Sequence, residues 1–331
     1  MRTLAALVES IDHVCCRYRL AAFRESFAGM GYRLELVPLP KSPLGRWRAI
    51  GSVRSADVVV LQRKLLSWFE VKWLRRAAKK FIFDFDDALW LRDSHAAKGF
   101  ESAKRRRRFD TILKHCDAAV AGNAILAAEA AKFCRRVDVI PTCVDPVKYP
   151  QARHERTGAA CKLVWIGSSS TLRGLEANAA MLNAIGRAIP GLELTVLCDR
   201  MPHFADLAVR GVPWSEATEA AELASADIGL GWVPDDPWSR GKCGLKLLQY
   251  HAAGLAVVAN PVGVQVEIVR HGETGMLATT TDEWVAAMKR LTTDAELRKR
   301  LGMNGRARLV DRFSVARCGE AWGRLLAELA P

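Results

Sequence analysis

Between Ser239 and Arg270 the chain reads SRGKCGLKLLQYHAAGLAVVANPVGVQVEIVR. Gly241 and Gly244 flank a turn that opens a helix, and the free N–H groups of such a helix start can hold an anion. Arg240, Lys242 and Lys246 stand at that same end. Cations there oppose the helix dipole, so stability alone does not select them, whereas an anionic ligand such as a diphosphate does. Solvated loop residues are the competing reading. A second group follows a short apolar run: Trp165-Ile166, then Gly167, Ser168, Ser169, Ser170 and Thr171, with Arg173 the nearest cation. Such a turn offers backbone amides and hydroxyls to phosphate oxygens, or serves only as a helix cap.

The first half holds a cluster of carboxylates, Asp84, Asp86 and Asp87, in FDFDDALW. Like charges at a strand end need cations, hydrogen-bond donors or proton chemistry. Alternation puts Asp84 and Asp86 on one face and Asp87 on the other; a helix cap and turn is the plainer alternative. Arg17 and Arg19 lie just after the first apolar run, in Cys-Cys-Arg-Tyr-Arg. Two cations at a helix start suggest phosphate or acceptor binding.

The elements that must position these residues alternate between short β-branched runs and longer helical patterns, the mark of parallel sheets with crossover helices. Strands are expected at Leu4–Val8, Leu34–Pro38, Ala56–Leu61, Phe81–Phe85, Ala118–Ala121 and Val137–Ile140, with helices near 18–30 and 65–80 and an alanine-rich one before the last strand. In the helix over 65–80, Leu66, Phe69, Trp73 and Ala77 share one face, while Lys72, Arg75, Arg76, Lys79 and Lys80 crowd elsewhere. The polar stretch Gln151–Ala160 reads as a linker. The pattern then restarts with strands at Lys162–Ile166, Leu192–Leu197, Ile228–Trp232 and Ala256–Ala259, and helices at Leu175–Ala188, Glu216–Ala224, Gly244–Ala253 and Trp284–Leu291. The expected class is therefore α/β: two Rossmann-like, doubly wound domains over 1–155 and 156–313, facing a cleft. Ligands in such sheets bind at the carboxyl ends of the strands.

A chain of 331 residues, half of them hydrophobic and 26% charged, has the balance of a soluble globular protein, which excludes disordered and fibrous classes. No apolar run approaches a membrane span, and Glu9 and Asp12 come too early for a signal peptide. Nine scattered cysteines without a Cys-x-x-Cys pair give no disulfide framework and no zinc site, the usage of a reducing cytoplasm. The net charge is +13, and residues 1–150 hold 28 basic and 16 acidic side chains, leaving 21 and 20 for the remainder. Nearly all the excess belongs to the first half, which points to an anionic partner.

The segment from Gly244 resembles the nucleotide-binding signature of glycosyltransferases with the GT-B fold, in particular retaining enzymes of glycosyltransferase family 4. Gly244-Leu245, Leu247-Leu248, Ala252-Ala253-Gly254, Val257-Val258-Ala259, Gly263, Glu267-Ile268-Val269, Gly272 and Thr274-Gly275-Met276-Leu277 match the pattern. The two glutamates of the family fall on Gly241 and Gln249, so the chain is similar to a divergent branch that lacks the pair. Asp227-Ile228-Gly229-Leu230-Gly231 resembles the strand leading to the nucleotide loop, and Pro141-Thr142-Cys143-Val144-Asp145 the end of the first domain.

The resemblance implies a sugar transfer from a nucleoside-diphosphate sugar to an acceptor hydroxyl, retaining and metal-independent, with no cofactor. It implies a final helix over 314–331 crossing back to the first domain. It assigns donor binding to Gly167, Ser168, Ser169, Ser170, Thr171, Arg173, Trp214, Arg240, Lys242, Cys243, Gly244 and Gln249, the last beside a ribose hydroxyl. Trp214 either stacks on the base or fills a core edge. Asp86 or Asp87 orients the acceptor hydroxyl, Lys246 stabilises the leaving diphosphate, and Arg17 and Arg19 bind the acceptor. The expected acceptor is lipid-linked, in bacterial-type cell-surface glycan or glycolipid synthesis. The basic half, including Lys104–Arg108, would rest on the inner, anionic face of the membrane. A basic nucleic-acid-binding protein and a non-catalytic sugar-nucleotide-binding protein are the two alternatives.

Overall fold

The computed structural model describes residues 1–329. Two compact units account for them. The first contains Met1–Cys143, the short segment Asp236–Cys243 and the C-terminal helix Val315–Leu329; the second contains Val144–Asp235 and Gly244–Ser314.

The first unit is a six-stranded parallel sheet in the order β2-β1-β3-β4-β5-β6. Its strands are β1 (Arg2–Val8), β2 (Tyr32–Pro38), β3 (Val58–Gln62), β4 (Lys80–Phe85), β5 (Ala118–Ala121) and β6 (Val137–Val139). The helices are α1 (Val14–Arg19), α2 (Arg24–Gly29), α3 (Pro43–Ser52), α4 (Trp68–Ala77), α5 (Ala103–Leu113) and α6 (Ala124–Ala130). Strands β3 and β5 are buried at every position, as expected for parallel strands covered on both faces. One apolar layer packs under α3–α6. The other is closed by the C-terminal helix, whose Trp322 meets Phe27 edge-on at 5.5 Å.

Helix α4 is shorter than the span expected over 65–80. Ser67 caps its start in a reciprocal box with Glu70, and Lys80 already opens β4. The buried residues of α4 are Val71 and Leu74. Phe69 lies two residues, about 200° of helical turn, from Val71. It is therefore on the solvent side, 78% exposed, while Trp73 and Ala77, expected on the same face, are partly buried. The basic run Lys104–Arg108 falls on α5, and most of its guanidinium groups serve the fold. Arg105 donates to Leu89 O, Arg106 pairs with Asp110 and Glu129, and Arg108 donates to Leu65 O.

The second unit is also six-stranded and parallel, in the order β12-β11-β10-β7-β8-β9. Its strands are β7 (Lys162–Ile166), β8 (Glu193–Leu197), β9 (Ala208–Val212), β10 (Ile228–Gly231), β11 (Ala256–Ala259) and β12 (Met276–Leu277). Its helices are α7 (Ser169–Glu176), α8 (Ala179–Ala188), α9 (Glu219–Ala224), α10 (Leu245–Ala252), α11 (Gln265–Ile268), α12 (Thr281–Thr293) and α13 (Ala295–Arg312). The second unit begins at Val144, before the expected linker, because that stretch is tied down: His154 Nε2 lies 2.8 Å from Gly254 O, and Tyr149 OH accepts from Gln249 at 3.2 Å. Among the described residues no helix is long and apolar enough to cross a membrane.

Each sheet reverses its winding once. In the first unit the switch lies between β1 and β3; in the second it lies between β7 and β10. A doubly wound sheet leaves room for a ligand outside the carboxyl ends of the strands at such a point.

Candidate functional site

At the carboxyl edge of the first sheet the three carboxylates meet two guanidinium groups. Asp84 is fully buried and paired with Arg19, whose Nη2 lies 2.5 Å from Oδ1. Arg19 Nε also donates to both Asp84 oxygens at 3.1 Å, and Nη1 to Ile140 O at 3.0 Å. All three nitrogens are thus used internally on a residue only 2% exposed. Burial raises the Asp84 carboxyl against the pull of Arg19, and a buried charge pair of this kind positions backbone more than it binds ligands. Arg17, on the same helix, is half-buried with its guanidinium over the Tyr18 ring at 5.3 Å.

Arg63, directly after β3 at the switch point, holds the other two carboxylates. Its Nη1 bonds Asp86 Oδ1, and its Nη2 lies 2.7 Å from Asp87 Oδ2. Burial acts to raise the Asp86 carboxyl, but Arg63 and Arg19 outweigh it and hold it below the usual range. The Arg63 backbone is left-handed, φ 58°, fixed by its N–H on Asp84 O at 2.9 Å. A non-glycine residue held there stores roughly 1–2 kcal/mol. The sequence reading missed Arg63; its only signal is a cation directly after the strand VVVLQ.

The segment Asp236–Cys243 closes over this edge. Asn123 Nδ2 donates to Gly241 O at 3.0 Å and Lys242 O at 3.2 Å, and the Cys243 thiol donates to Asp86 O at 3.2 Å. Gly122 is required beneath it, since a Cβ there would come within 2.3 Å of Cys243 Sγ. Cys243 is buried, burial pushes its thiol up, and its bond to Asp86 O holds this loop. Arg240 is exposed, and Lys242 Nζ lies over the Trp238 ring at 5.9 Å.

In the second unit, two helix starts meet at the switch between β7 and β10. Gly167 and Ser168 lead from β7 into α7, and Gly244, left-handed at φ 67°, leads into α10. Lys246 joins them: its Nζ donates to Thr171 Oγ1 at 3.3 Å and lies 4.1 Å from the centroid of the Trp165 ring. Two of the loop's other hydroxyls face one another, Ser168 Oγ and Ser170 Oγ 2.8 Å apart. Ser169 N–H donates to Asp199 Oδ1 at 2.9 Å, so a carboxylate already takes one amide of the α7 start. Arg173 is exposed on that helix.

Deeper in the same unit runs a polar chain that sequence reasoning did not foresee. Gln249 Nε2 donates to Tyr149 OH at 3.2 Å, Tyr149 OH to Glu219 Oε1 at 3.5 Å, and Trp214 Nε1 to Glu219 Oε2 at 2.8 Å. Gln249 and Glu219 are buried, whereas Trp214 keeps 44% of its surface exposed. The structure thus places Trp214 and Gln249 on one network, with Glu219 as the shared acceptor.

Residues 237–308 match the family model described as glycosyl transferases group 1. This is the stretch that carries Lys246 and Gln249. No curated protein matches the chain by sequence. Among solved structures, the sucrose-phosphate synthase of Thermosynechococcus elongatus superposes with a TM-score of 0.76 at 15% identity, covering 99% of each chain. Anabaena HepE in complex with UDP-glucose gives 0.68 at 14% identity, over 99% of this chain and 100% of that one. The pneumococcal O-GlcNAc transferase GtfA, with UDP and GlcNAc, gives 0.61 at 12% identity, covering 86% and 60%. The two parallel six-stranded sheets with flanking helices are the two-domain α/β fold of these GT-B glycosyltransferases.

Proposed function

We propose that this protein is a glycosyltransferase that moves a sugar from a nucleoside-diphosphate donor to an acceptor hydroxyl with retention, without a metal. The observation that carries the reading is Lys246, held between the first turns of α7 and α10 at the switch point of the second sheet, inside the stretch that matches glycosyl transferases group 1. A leaving diphosphate needs positive charge and N–H donors fixed in advance, and these groups supply both. Gly167, Ser168, Ser170 and Thr171 line the phosphate, with Arg173 as an outer cation. Trp214 is assigned to the base and Gln249 to a ribose hydroxyl. Because HepE and GtfA were solved with UDP, UDP-sugars are the first donors to test.

The first unit takes the acceptor. Asp86, kept ionised by Arg63, accepts a hydrogen bond from the acceptor hydroxyl, with Asp87 beside it and Arg17 further out. The bond from the anomeric carbon to the diphosphate oxygen breaks as the acceptor oxygen bonds that carbon on the same face. The acceptor proton passes to the departing diphosphate. The acceptor is lipid-linked, at an anionic membrane surface, in cell-surface glycan or glycolipid synthesis; the basic excess of the first 150 residues supports this. A screen of nucleotide sugars, read by thermal stabilisation and by hydrolysis, tests the reading. UDP-sugars raise the melting temperature and one is slowly hydrolysed; stabilisation without any turnover favours a binding protein instead.

A further inference from the structure

We infer that the α3–α4 face of the first unit is a docking surface for an anionic phospholipid bilayer. Leu44 and Trp47 on α3 and Trp68 and Phe69 on α4 are 59%, 57%, 54% and 78% exposed. Four large apolar side chains left in water on two packed helices are more than the scatter of a normal surface. The helices are joined by the stacked indoles of Trp47 and Trp73, 5.4 Å apart and within 10° of parallel, and by the Arg46–Glu70 ion pair. Between them lies a groove of about 500 Å³, lined by Pro43, Arg46, Trp47, Ile50, Phe69 and Trp73, with Arg108 at its edge. Trp73 Nε1 and Arg46 Nε are buried without a hydrogen-bond partner among the described residues.

Charge decides the occupant. From Lys41 to Ala56 there are four cationic side chains and no acidic one. Lys72 lies over the Trp68 ring at 5.6 Å, and the groove's single acid, Glu70, is already spent on Arg46 and Ser67. A second copy of this chain would bring cation against cation. A bilayer surface of acidic lipids offers phosphates to the arginines and an interfacial layer suited to Trp and Phe. The inference rests on the proposed glycosyltransferase reading only in supposing that the bilayer carries the acceptor.

The test is co-sedimentation of the full chain with vesicles of phosphatidylcholine alone or mixed with phosphatidylglycerol, with UDP affinity measured in parallel. The chain pellets with the mixed vesicles and far less with phosphatidylcholine. Phe69→Ser removes an almost fully exposed ring, so it leaves the melting temperature unchanged while lowering the bound fraction about tenfold. Trp68→Ser/Phe69→Ser lowers it further, and UDP affinity is unaltered in both. Equal pelleting with both vesicles, or wild-type pelleting of the Ser variants, overturns the inference. So does a concentration-dependent dimer that Phe69→Ser abolishes without any vesicle binding. If UDP does not bind but acidic vesicles do, the enzyme reading falls and the docking surface stands.

Discussion

The ammonium of Lys246 stands 4.1 Å from the centroid of the Trp165 indole, and Trp165 is itself buried. A cation held over a buried ring loses rotamer freedom before any ligand arrives, and the contact contributes on the order of 1–2 kcal/mol. The second hold on the same side chain is Thr171 Oγ1. Together they aim one positive charge at the start of α7.

Gly167 tests that aim. A Cβ there would lie 2.5 Å from the Trp165 ring and 2.6 Å from Thr171 Oγ1, so both partners of Lys246 must move. Gly167→Ala is therefore expected to weaken UDP binding about tenfold, roughly 1.4 kcal/mol, with a smaller effect on melting temperature. Titration calorimetry beside thermal unfolding separates the two.

Arg63 carries the first unit's carboxylates, and removing it leaves Asp86 and Asp87 with their nearest cation gone. Arg63→Ala should lower unfolding free energy by about 3 kcal/mol in urea titrations. Arg63→Gly should be about 1 kcal/mol milder, because glycine adopts φ 58° without strain. The acid limb responds with a definite sign. A carboxyl held below its unfolded value stabilises the fold above that value and loses the contribution as pH falls through the folded one. Without Arg63 the acid-induced loss must begin at higher pH.

The strands were legible because burial on both faces demands unbroken β-branched and apolar runs; Ala118–Ala121, Lys162–Ile166 and Ala256–Ala259 lie where the sequence puts them. Strand β9 and helix α13 were not, since AVRGV is half-polar and the stripe that α13 buries, Leu297, Leu301 and Leu309, is interrupted by Arg298, Gly302 and Gly305. The face counted through Phe69 is not the one α4 buries: Val71 and Leu74 pack inward, and Leu66 lies before the helix starts. At the site, Lys246 and the Gly167–Thr171 loop were readable from local chemistry. Arg63 and the Tyr149–Glu219 link were not, because each depends on partners far away in sequence.

His251 gives a pH signature of its own. It is fully buried on α10, its Nε2 3.1 Å from Thr274 O, and burial lowers its pKa to about 4. The unfolded chain, titrating near 6.5, binds the proton first, so stability is complete at neutral pH and falls as pH drops from about 6.5 towards 4. Between pH 7.5 and 5 the loss from this group is about 2 kcal/mol. His251→Gln should flatten that part of the stability profile; an unchanged slope would show that His251 is not the titrating group.

The most direct measurement is the affinity of UDP for the wild-type chain and for Lys246→Ala, by titration calorimetry with melting temperatures in parallel. The account predicts saturable binding to the wild type, a loss of ten- to a hundredfold in the variant, about 1.5–3 kcal/mol, and little change in folding stability. No binding of UDP or any other nucleoside diphosphate to the wild type, or equal affinity in Lys246→Ala, would contradict it.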